Sequence, residues 1–410
     1  MLFNSFEFAW FFVGVFLLYA AAAHRLQNVI LLVGSYCFYG AWNPRFLSLI
    51  ALSTLVDYLC GRWLERTSSQ RRRRILVGVS ILTNLGILGF YKYYNFFADS
   101  LSVLLQSWGF DPAPFRLSIV LPIGISFYTF QTMSYTLDVY RRKIPACHNL
   151  LDFAVFVSFF PQLVAGPIER AGRLLPQIQG ERRIGYQEVR KGAWLILLGL
   201  FKKVVIADNL AALVDPVFAD VNAATGPAAL IGVYAFAFQI FCDFSGYSDI
   251  ARGLAKLMGF ELMQNFRLPY FATNPIEFWR RWHISLSTWL RDYLYISLGG
   301  NRHGRVRMCL NLMVTMVLGG LWHGAAWTFV TWGVFWGIVL VVHRLINTQL
   351  VHPTTRLTST AWTLIRMVAF FHITCLGWIL FRANSLADCS TLLAKISSLF
   401  GPAIGVQADA

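Results

Sequence analysis

The chain has 410 residues, of which 57% are hydrophobic and 13% are charged, and its formal net charge is +15. Soluble domains carry about 25% charged residues, and a soluble core of this length cannot hide so much apolar surface. The composition excludes an ordinary soluble protein and predicts an all-α polytopic integral membrane protein.

Apolar runs long enough to cross, or nearly cross, the hydrocarbon core recur along the chain. The first has no Lys or Arg before it and follows the acidic Glu7, so we expect a membrane helix there and no cleaved signal peptide. With the segments described below, the runs predict about 10–11 transmembrane helices. Their approximate bounds are 8–23, 26–42, 46–60, 75–91, 117–139, 193–207, 228–246, 308–323, 325–343 and 362–381.

The basic residues lie in short loops between these runs and orient them by the positive-inside rule. Residues 61–74 and 252–307 are rich in Lys and Arg and are expected in the cytoplasm. Residues 208–227 carry three Asp and no Lys or Arg, so we expect them outside, together with the N-terminus. No nucleic-acid motif accompanies the charge, which therefore predicts membrane topology and no nucleic-acid partner.

A further apolar run, 150–168, is predicted to be re-entrant or buried and not to span. Pro161, Gly166 and Pro167 interrupt it, and a crossing would put the basic segment after it outside. Irregular backbone at membrane depth is tolerated only where protein shields it or where it lines a cavity. With no internal repeat and no second soluble domain, we expect one membrane-embedded domain over residues 1–400 and a flexible tail over 401–410.

Several familiar chemical motifs are missing from the sequence. The seven cysteines form no C-x-x-C pair and no Cys/His cluster, so we expect neither a disulfide framework nor a metal site. There is no H-E-x-x-H, no P-loop lysine motif and no G-x-S-x-G elbow, which disfavours a serine nucleophile.

The segment TNPIEFWRRWHISLSTWLRDYLYISLGGNR is predicted to form one amphipathic helix. Asn274 is the expected N-cap, Pro275 the first helical residue, and Gly299–Gly300 the end. Aromatic residues fall along one face, whereas Arg280 and His283 fall along another. The pattern is typical of a helix at the membrane surface whose arginines meet lipid phosphates, and the same arginines suit an anionic donor.

His323 lies deep within the apolar run MVLGGLWHGAAW. An ionisable side chain at membrane depth is costly and indicates a functional site, with a core histidine bonded to a carbonyl as the alternative. The glycines around it favour function, because they let backbone or ligand approach closely. Asp243 and Asp249, near the cytoplasmic end of another run, are more typical of ion pairs than of catalysis.

At EFWRRWHISLSTWLRDYLYISLGGNR and LGGLWHGAAWTF the chain resembles the membrane-bound O-acyltransferase superfamily, most strongly its bacterial alginate O-acetylase branch. The stretches LPIGISFYTFQTMSYTLDVYRR, FFPQLVAGPIER, FKKVVIADNLAAL and DFSGYSDIARGL are similar to that branch too, so the resemblance covers about residues 1–385. It implies a helical ring thinned in the middle, where a cytoplasmic tunnel meets a funnel from the other face. It also implies further membrane helices beyond WILFRA, a stretch soon followed by the end of this chain.

The resemblance implies that His323, in its W-H-G context, is catalytic and that His283 is a second site position whose role varies across the family. It implies acetyl-coenzyme A as donor, with no permanently bound cofactor, and a periplasmic SGNH-type acetyltransferase that completes transfer to sugar. The expected function is O-acetylation of an exopolysaccharide such as alginate, by acetyl transfer across the bacterial inner membrane. The expected ligands of the coenzyme A phosphates are cationic residues of the 252–307 loop, Arg267, Arg280, Arg281 and Arg302.

His323, kept neutral by burial, is expected to act as general base on an acceptor hydroxyl, with an acetyl-histidine intermediate left open. His283 is expected to polarise the thioester carbonyl, orient the pantetheine arm or steady the helix. Two other functions stay open: D-alanyl transfer from a carrier protein to a cell-envelope polymer, and a non-catalytic acyl transporter or scaffold for the periplasmic partner. Alginate, cellulose, another exopolysaccharide and peptidoglycan are all open as acceptors.

Overall fold

The computed structural model of the protein describes residues 1, 3–110, 116–164, 166–349 and 360–400. Regular structure within these residues is entirely helical, which confirms the predicted all-α class. Six helices in this part of the chain are long and apolar enough to cross a membrane, so the protein is a multi-pass membrane protein. They are Pro44–Arg66, Gln70–Ser107, Gly226–Leu257, Gly304–His323, Trp327–Ile346 and Thr360–Arg382.

The chain divides into two compact units, each built from separate stretches of sequence. The single domain expected over residues 1–400 stays a prediction, and the tail expected at 401–410 lies outside the described residues. The first unit comprises Met1–Leu200, Ser245–Asn265 and Ile284–Tyr293, and the second comprises Phe201–Phe244, Phe266–His283 and Leu294–Ala410.

The N-terminal part of the first unit contains ten α-helices among its described residues. The π-helical turn Gly89–Tyr93 joins the fourth and fifth into one continuous helix. The helices are α1 (Phe6–Ala21), α2 (His24–Gly40), α3 (Leu47–Arg66), α4 (Gln70–Leu88), α5 (Tyr94–Ser107), α6 (Ile125–Tyr140), α7 (Leu150–Ser158), α8 (Phe160–Leu163), α9 (Ala171–Gln179) and α10 (Tyr186–Leu200).

The apolar run at 150–168 folds as two short helices inside the first unit. The nine residues of α7 are too few to cross a bilayer, and Phe153, Phe156 and Phe160 are fully buried in the core of this unit. The prediction that this run is re-entrant or buried, and not a span, is confirmed.

The remaining helices supply most of the second unit. The last part of α12, from Ser245, and the whole of α14 belong to the first unit. In chain order these helices are α11 (Asp208–Ala219), α12 (Gly226–Leu257), α13 (Pro275–Arg281), α14 (Ile284–Trp289), α15 (Gly304–His323), α16 (Trp327–Gln349), α17 (Thr360–Arg382) and α18 (Leu386–Ser397).

Glycines set the spacing of α15 and α16 in the second unit. A Cβ atom on Gly320 would overlap the carbonyl oxygen of Phe329, and a Cβ on Gly333 would lie 2.5 Å from the carbonyl oxygen of Met316. The two helices therefore pack backbone against backbone, as small residues allow in membrane helices. This close pairing fixes the turn between them, where the W-H-G motif lies.

Two predicted spans have different bounds in the structure. The helix expected at 117–139 begins only at Ile125, because Pro122 and the left-handed Gly124 (φ 74°) precede it. The helix expected to end at 207 continues through a π-helical turn, Phe201–Ala207, into α11, so much of the predicted external loop is helical. By length and hydropathy the described residues give six spans where 10–11 were expected, and α2 and α6 fall short with 17 and 16 residues.

Candidate active site

The candidate catalytic histidine, His323, is the last residue of α15. Gly324 leaves the helix in an extended conformation, and α16 begins at Trp327. A Cβ on Gly324 would overlap the ring of Phe329, so only glycine fits at this turn. The helix end thus holds the imidazole at a defined position, half-buried beside the start of the next helix.

Three aromatic rings surround the imidazole of His323. The ring centroids of Trp322, Trp332 and Phe381 lie 5.0, 5.1 and 5.2 Å from its centroid, each with the planes close to perpendicular. They come from α15, α16 and α17, so three helices converge on the histidine. Such rings exclude water and raise the strength of any hydrogen bond or charge interaction made inside the site.

The structure corrects the prediction of one continuous helix over 274–298. The start is as expected: the side chain of Asn274 accepts a hydrogen bond from Glu277 N–H at 2.9 Å, and Pro275 follows it. The helix α13 then ends at Arg281, and α14 begins only at Ile284. Residues beyond α14 form a π-helical turn, Leu290–Tyr295.

His283 occupies the break between α13 and α14. Its φ of 41° is in the left-handed region, which costs a residue with a Cβ about 1–2 kcal/mol. The backbone N–H of Arg267 donates to the carbonyl of Arg281 at 2.9 Å, which gives the broken end of α13 a partner. Backbone strain of this kind persists where surrounding contacts impose it, and it is concentrated at functional sites.

His283 is fully buried, with 1% of the residue exposed. Phe244 packs against it edge to face, with the centroids 4.6 Å apart. Neither ring nitrogen makes a hydrogen bond to a residue that the structure describes. Burial lowers the pKa of His283 well below its usual value, and the nearby His323 lowers it further. The ring is therefore neutral at physiological pH, with one N–H donor and one nitrogen lone pair.

The structure brings the two predicted histidines together. The ring centroids of His283 and His323 lie 6.3 Å apart, although 39 residues of sequence separate the two positions. Neither nitrogen of His283 is bonded to a described residue, so this ring is a buried polar group with no hydrogen-bond partner in the described part of the chain. A neutral imidazole can remove a proton, accept an acyl group or donate one hydrogen bond, so the pair suits acyl transfer to a hydroxyl.

The four predicted phosphate-binding arginines all belong to the second unit. The side chains of Arg267, Arg280 and Arg302 are exposed. Arg281 is half-buried, and its guanidinium pairs with the carboxylate of Glu277 at 2.5 Å. Arg267 and Arg281 are neighbours through the backbone hydrogen bond given above, whereas Arg302 lies in the turn before α15. Their binding of phosphate stays a prediction.

The two aspartates of α12 form ion pairs, as their sequence pattern favours. Asp243 pairs with Lys203 at 2.7 Å, and the same lysine lies 2.7 Å from Asp208. In the first unit, Asp249 pairs with Arg252 at 3.2 Å.

Sequence reasoning did not identify the aromatic residues that enclose the two histidines. Phe244, Trp332 and Phe381 come from three separate helices, so no local motif unites them. The available signal was the spacing of Trp332 and Trp336, which puts two indoles on one face of α16. In an apolar run, however, this spacing also fits an ordinary helix-packing face.

Comparison with known proteins adds an independent line of evidence. The profile described as "MBOAT, membrane-bound O-acyltransferase family" matches residues 136–386. A probable alginate O-acetylase of Pseudomonas aeruginosa is 45% identical over 391 residues, 94% of this chain and 73% of the relative. A peptidoglycan O-acetyltransferase of Helicobacter pylori is 35% identical over 98% of this chain and 80% of the relative. A teichoic acid D-alanyltransferase of Streptococcus thermophilus is 32% identical over 54% of this chain and 56% of the relative.

Proposed function

Because the chain belongs to the membrane-bound O-acyltransferase family and is an acyltransferase, we propose that it moves an acetyl group from cytoplasmic acetyl-coenzyme A across the bacterial inner membrane. The acetyl group is destined for the hydroxyls of an exopolysaccharide such as alginate, and a periplasmic SGNH-type acetyltransferase completes the transfer to the sugar. The names of the O-acetylase relatives, matched over most of this chain, support acetyl transfer over D-alanyl transfer. The observation that carries the proposal is the pair of imidazoles 6.3 Å apart in an aromatic enclosure.

His323 is the proposed general base. Its ring nitrogen takes the proton of an acceptor hydroxyl while the hydroxyl oxygen attacks the thioester carbonyl carbon. The carbon–sulfur bond then breaks, the coenzyme A thiolate leaves, and the imidazolium returns the proton to it. In the alternative route the ring nitrogen attacks the carbonyl itself, releases the thiol and passes the acetyl group to the hydroxyl in a second step. Both routes need an imidazole at position 323, and neither needs a reactant other than the thioester and the hydroxyl.

His283 is the proposed partner that polarises the thioester. Its neutral ring carries one N–H that no described residue accepts, and its centroid lies 6.3 Å from that of His323. A carbonyl oxygen held between the rings would accept this N–H, and the hydrogen bond would strengthen as negative charge develops there. The exposed guanidiniums of Arg267, Arg280 and Arg302, with Arg281, are the proposed attraction for the coenzyme A phosphates.

The test is His323→Ala, expressed in cells that lack the wild-type chain, with acetyl ester measured in the secreted polymer. The matched control is His148→Ala, since His148 is an exposed histidine paired with Glu65 at 2.8 Å in the first unit. Immunoblots of washed membranes confirm equal insertion of both variants. We expect His323→Ala to lose at least about 10²-fold in acetylation, the usual contribution of a general base. Full acetylation with His323→Ala would show that His323 is not catalytic and would favour the alternative in which the chain is a non-catalytic scaffold.

The donor is tested separately with purified chain in detergent. Radiolabelled acetyl-coenzyme A should bind and lose its acetyl label, and Arg280→Gln should weaken that binding more at low salt than at high salt. Binding of an acyl-carrier protein, with none of acetyl-coenzyme A, would point to D-alanyl transfer instead.

A further inference from the structure

An open cavity of about 420 Å³ lies where α3 and α4 of the first unit meet. We call it the hairpin cavity, because its walls come from the last turn of α3, the connecting loop and the first turns of α4. Both helices belong to segments long and apolar enough to cross a membrane, so the cavity at their ends lies at the depth of the membrane surface. Its lining residues are Trp63, Arg66, Thr67, Arg72, Ile75 and Leu76.

The lining of the hairpin cavity changes from cationic to apolar with depth. Arg66 is the last residue of α3, and Trp63 lies one turn deeper on the same helix. On α4, Arg72 lies in the first turn, and Ile75 lies one turn deeper. Each helix therefore places a guanidinium at the membrane surface and an apolar side chain on the hydrocarbon side of it. A phospholipid has the same order, with its phosphate above its acyl chains.

The two arginines of the hairpin cavity have no carboxylate partner in the described part of the chain. Arg66 and Arg72 are both exposed, and neither forms an ion pair or a hydrogen bond with a described residue. Glu65 is the one acidic residue between positions 58 and 98. Its carboxylate pairs with His148 at 2.8 Å and accepts the backbone N–H of Ala146 at 3.2 Å. Two positive charges thus face the cavity, and a group with net negative charge complements them.

A buried arginine fixes the end of the hairpin. Arg73 is 5% exposed, and its guanidinium donates to the carbonyls of Leu64 and Tyr140, the latter at 2.6 Å. Leu64 lies in the last turn of α3 and Tyr140 ends α6, so one cation supplies donors to the free carbonyls of two helix ends. Because these bonds tie α4 to α3 and α6, the hairpin cavity is formed before any ligand arrives.

We propose that the hairpin cavity binds an anionic phospholipid, with the phosphate on Arg66 and Arg72 and an acyl chain against Trp63 and Ile75. Guanidiniums donate paired hydrogen bonds to phosphate oxygens, whereas the ammonium of a zwitterionic head group would meet the same positive charge and be repelled. The apolar side chains below the arginines favour a lipid over a free phosphate. The positive-inside rule puts this end of the hairpin in the cytoplasm, where the leaflet carries anionic lipid.

The experiment measures binding of radiolabelled phosphatidylglycerol to the detergent-purified chain, in an excess of unlabelled phosphatidylcholine that occupies non-specific sites. The double variant Arg66→Gln, Arg72→Gln should bind about 30-fold more weakly than wild type, at about 5-fold for each arginine near an anionic head group. Trp63→Ala keeps both charges and removes apolar contact, so it should weaken binding by about 5-fold.

The matched control removes two charges from the same turn of α4 without touching the cavity. Arg71 and Arg74 are exposed and lie outside its lining, so Arg71→Gln, Arg74→Gln at 0.15 M salt should weaken binding by less than about 3-fold. Neither double variant should change the melting temperature of the chain without lipid, because the four side chains are exposed and bond no described residue.

Three results would overturn the proposal. Equal weakening by the two double variants would show that surface charge alone attracts the lipid. Displacement by inorganic phosphate or coenzyme A, at the concentration at which unlabelled phosphatidylglycerol displaces the label, would show a site for a free phosphate. Equal displacement by phosphatidylethanolamine would show no preference for negative charge.

This site is independent of the proposed acyl transfer. His323→Ala should bind phosphatidylglycerol as wild type does, so loss of acetylation in that variant and loss of lipid in the Arg66→Gln, Arg72→Gln variant are separate outcomes.

Discussion

Glu169 is a fully buried carboxylate whose titration should be visible in the stability of the protein. It follows the buried run 150–168, and one carboxylate oxygen accepts the backbone N–H of Met263. The other oxygen has no hydrogen-bond partner among the described residues. Burial raises the pKa of Glu169 from 4.5 to about 7, against the lowering effect of the Met263 N–H and of Arg173 and Arg170.

The sign of the effect follows from proton binding. Between pH 4.5 and 7 the folded chain holds a proton on Glu169 that the unfolded chain has lost, so the free energy of unfolding falls as pH rises through this window. The difference between 4.5 and about 7, at about 1.4 kcal/mol per pH unit, amounts to about 3 kcal/mol. The contribution is fully present below pH 4.5 and is lost as pH rises through about 7.

The variant Glu169→Gln removes this titration and keeps an oxygen for the Met263 N–H. Unfolding of the detergent-solubilised chain, measured from pH 4.5 to 8, should show the variant gaining about 3 kcal/mol relative to wild type across the window. Glu181→Gln removes a carboxylate at an exposed position of the same unit and controls for the change in net charge. Parallel pH curves for wild type and Glu169→Gln would refute the reasoning.

Three further predictions concern the backbone and core. In Gly320→Ala the added methyl group overlaps the backbone carbonyl oxygen of Phe329, so the free energy of unfolding, measured by thermal melting, should fall by about 1–3 kcal/mol. Gly86 has open space around it, so Gly86→Ala should leave the stability unchanged or raise it. Gly tolerates the left-handed backbone at position 283, so His283→Gly should be about 1 kcal/mol more stable than His283→Ala. Equal melting temperatures for the two variants would show that the backbone strain is absent. Asp57→Ala removes the acceptor of the hydrogen bonds donated by Ser80, Asn84 and Thr136, so the free energy of unfolding should fall by about 3 kcal/mol. The identity of the acetylated polymer should not change.

The sequence pattern located most of the membrane helices and the histidine at the end of one of them. Long apolar runs predict α15, α16 and α17 to within a few residues, because hydropathy decides where a chain enters lipid. The buried character of 150–168 was predictable too, since Pro161 and Gly166 interrupt its helical pattern. Each of these inferences needs only the local sequence and the solvent.

The position of His283 could not be predicted in the same way. The residues on both sides of it continue one helical pattern, and no Pro or Gly marks the break at Trp282 and His283. The left-handed backbone there is imposed by tertiary contacts, which include the hydrogen bond between Arg267 and Arg281. The 6.3 Å approach of His283 to His323, and the aromatic rings from three helices around them, are likewise products of packing.

The most direct measurement is the rate at which purified His323→Ala consumes acetyl-coenzyme A in the presence of an acceptor hydroxyl, with and without added imidazole. Because the imidazole of His323 is the proposed general base or nucleophile, we expect the variant to be at least about 10²-fold slower than wild type. Added imidazole should restore part of the rate. A variant that matches the wild-type rate with no imidazole present would contradict the account.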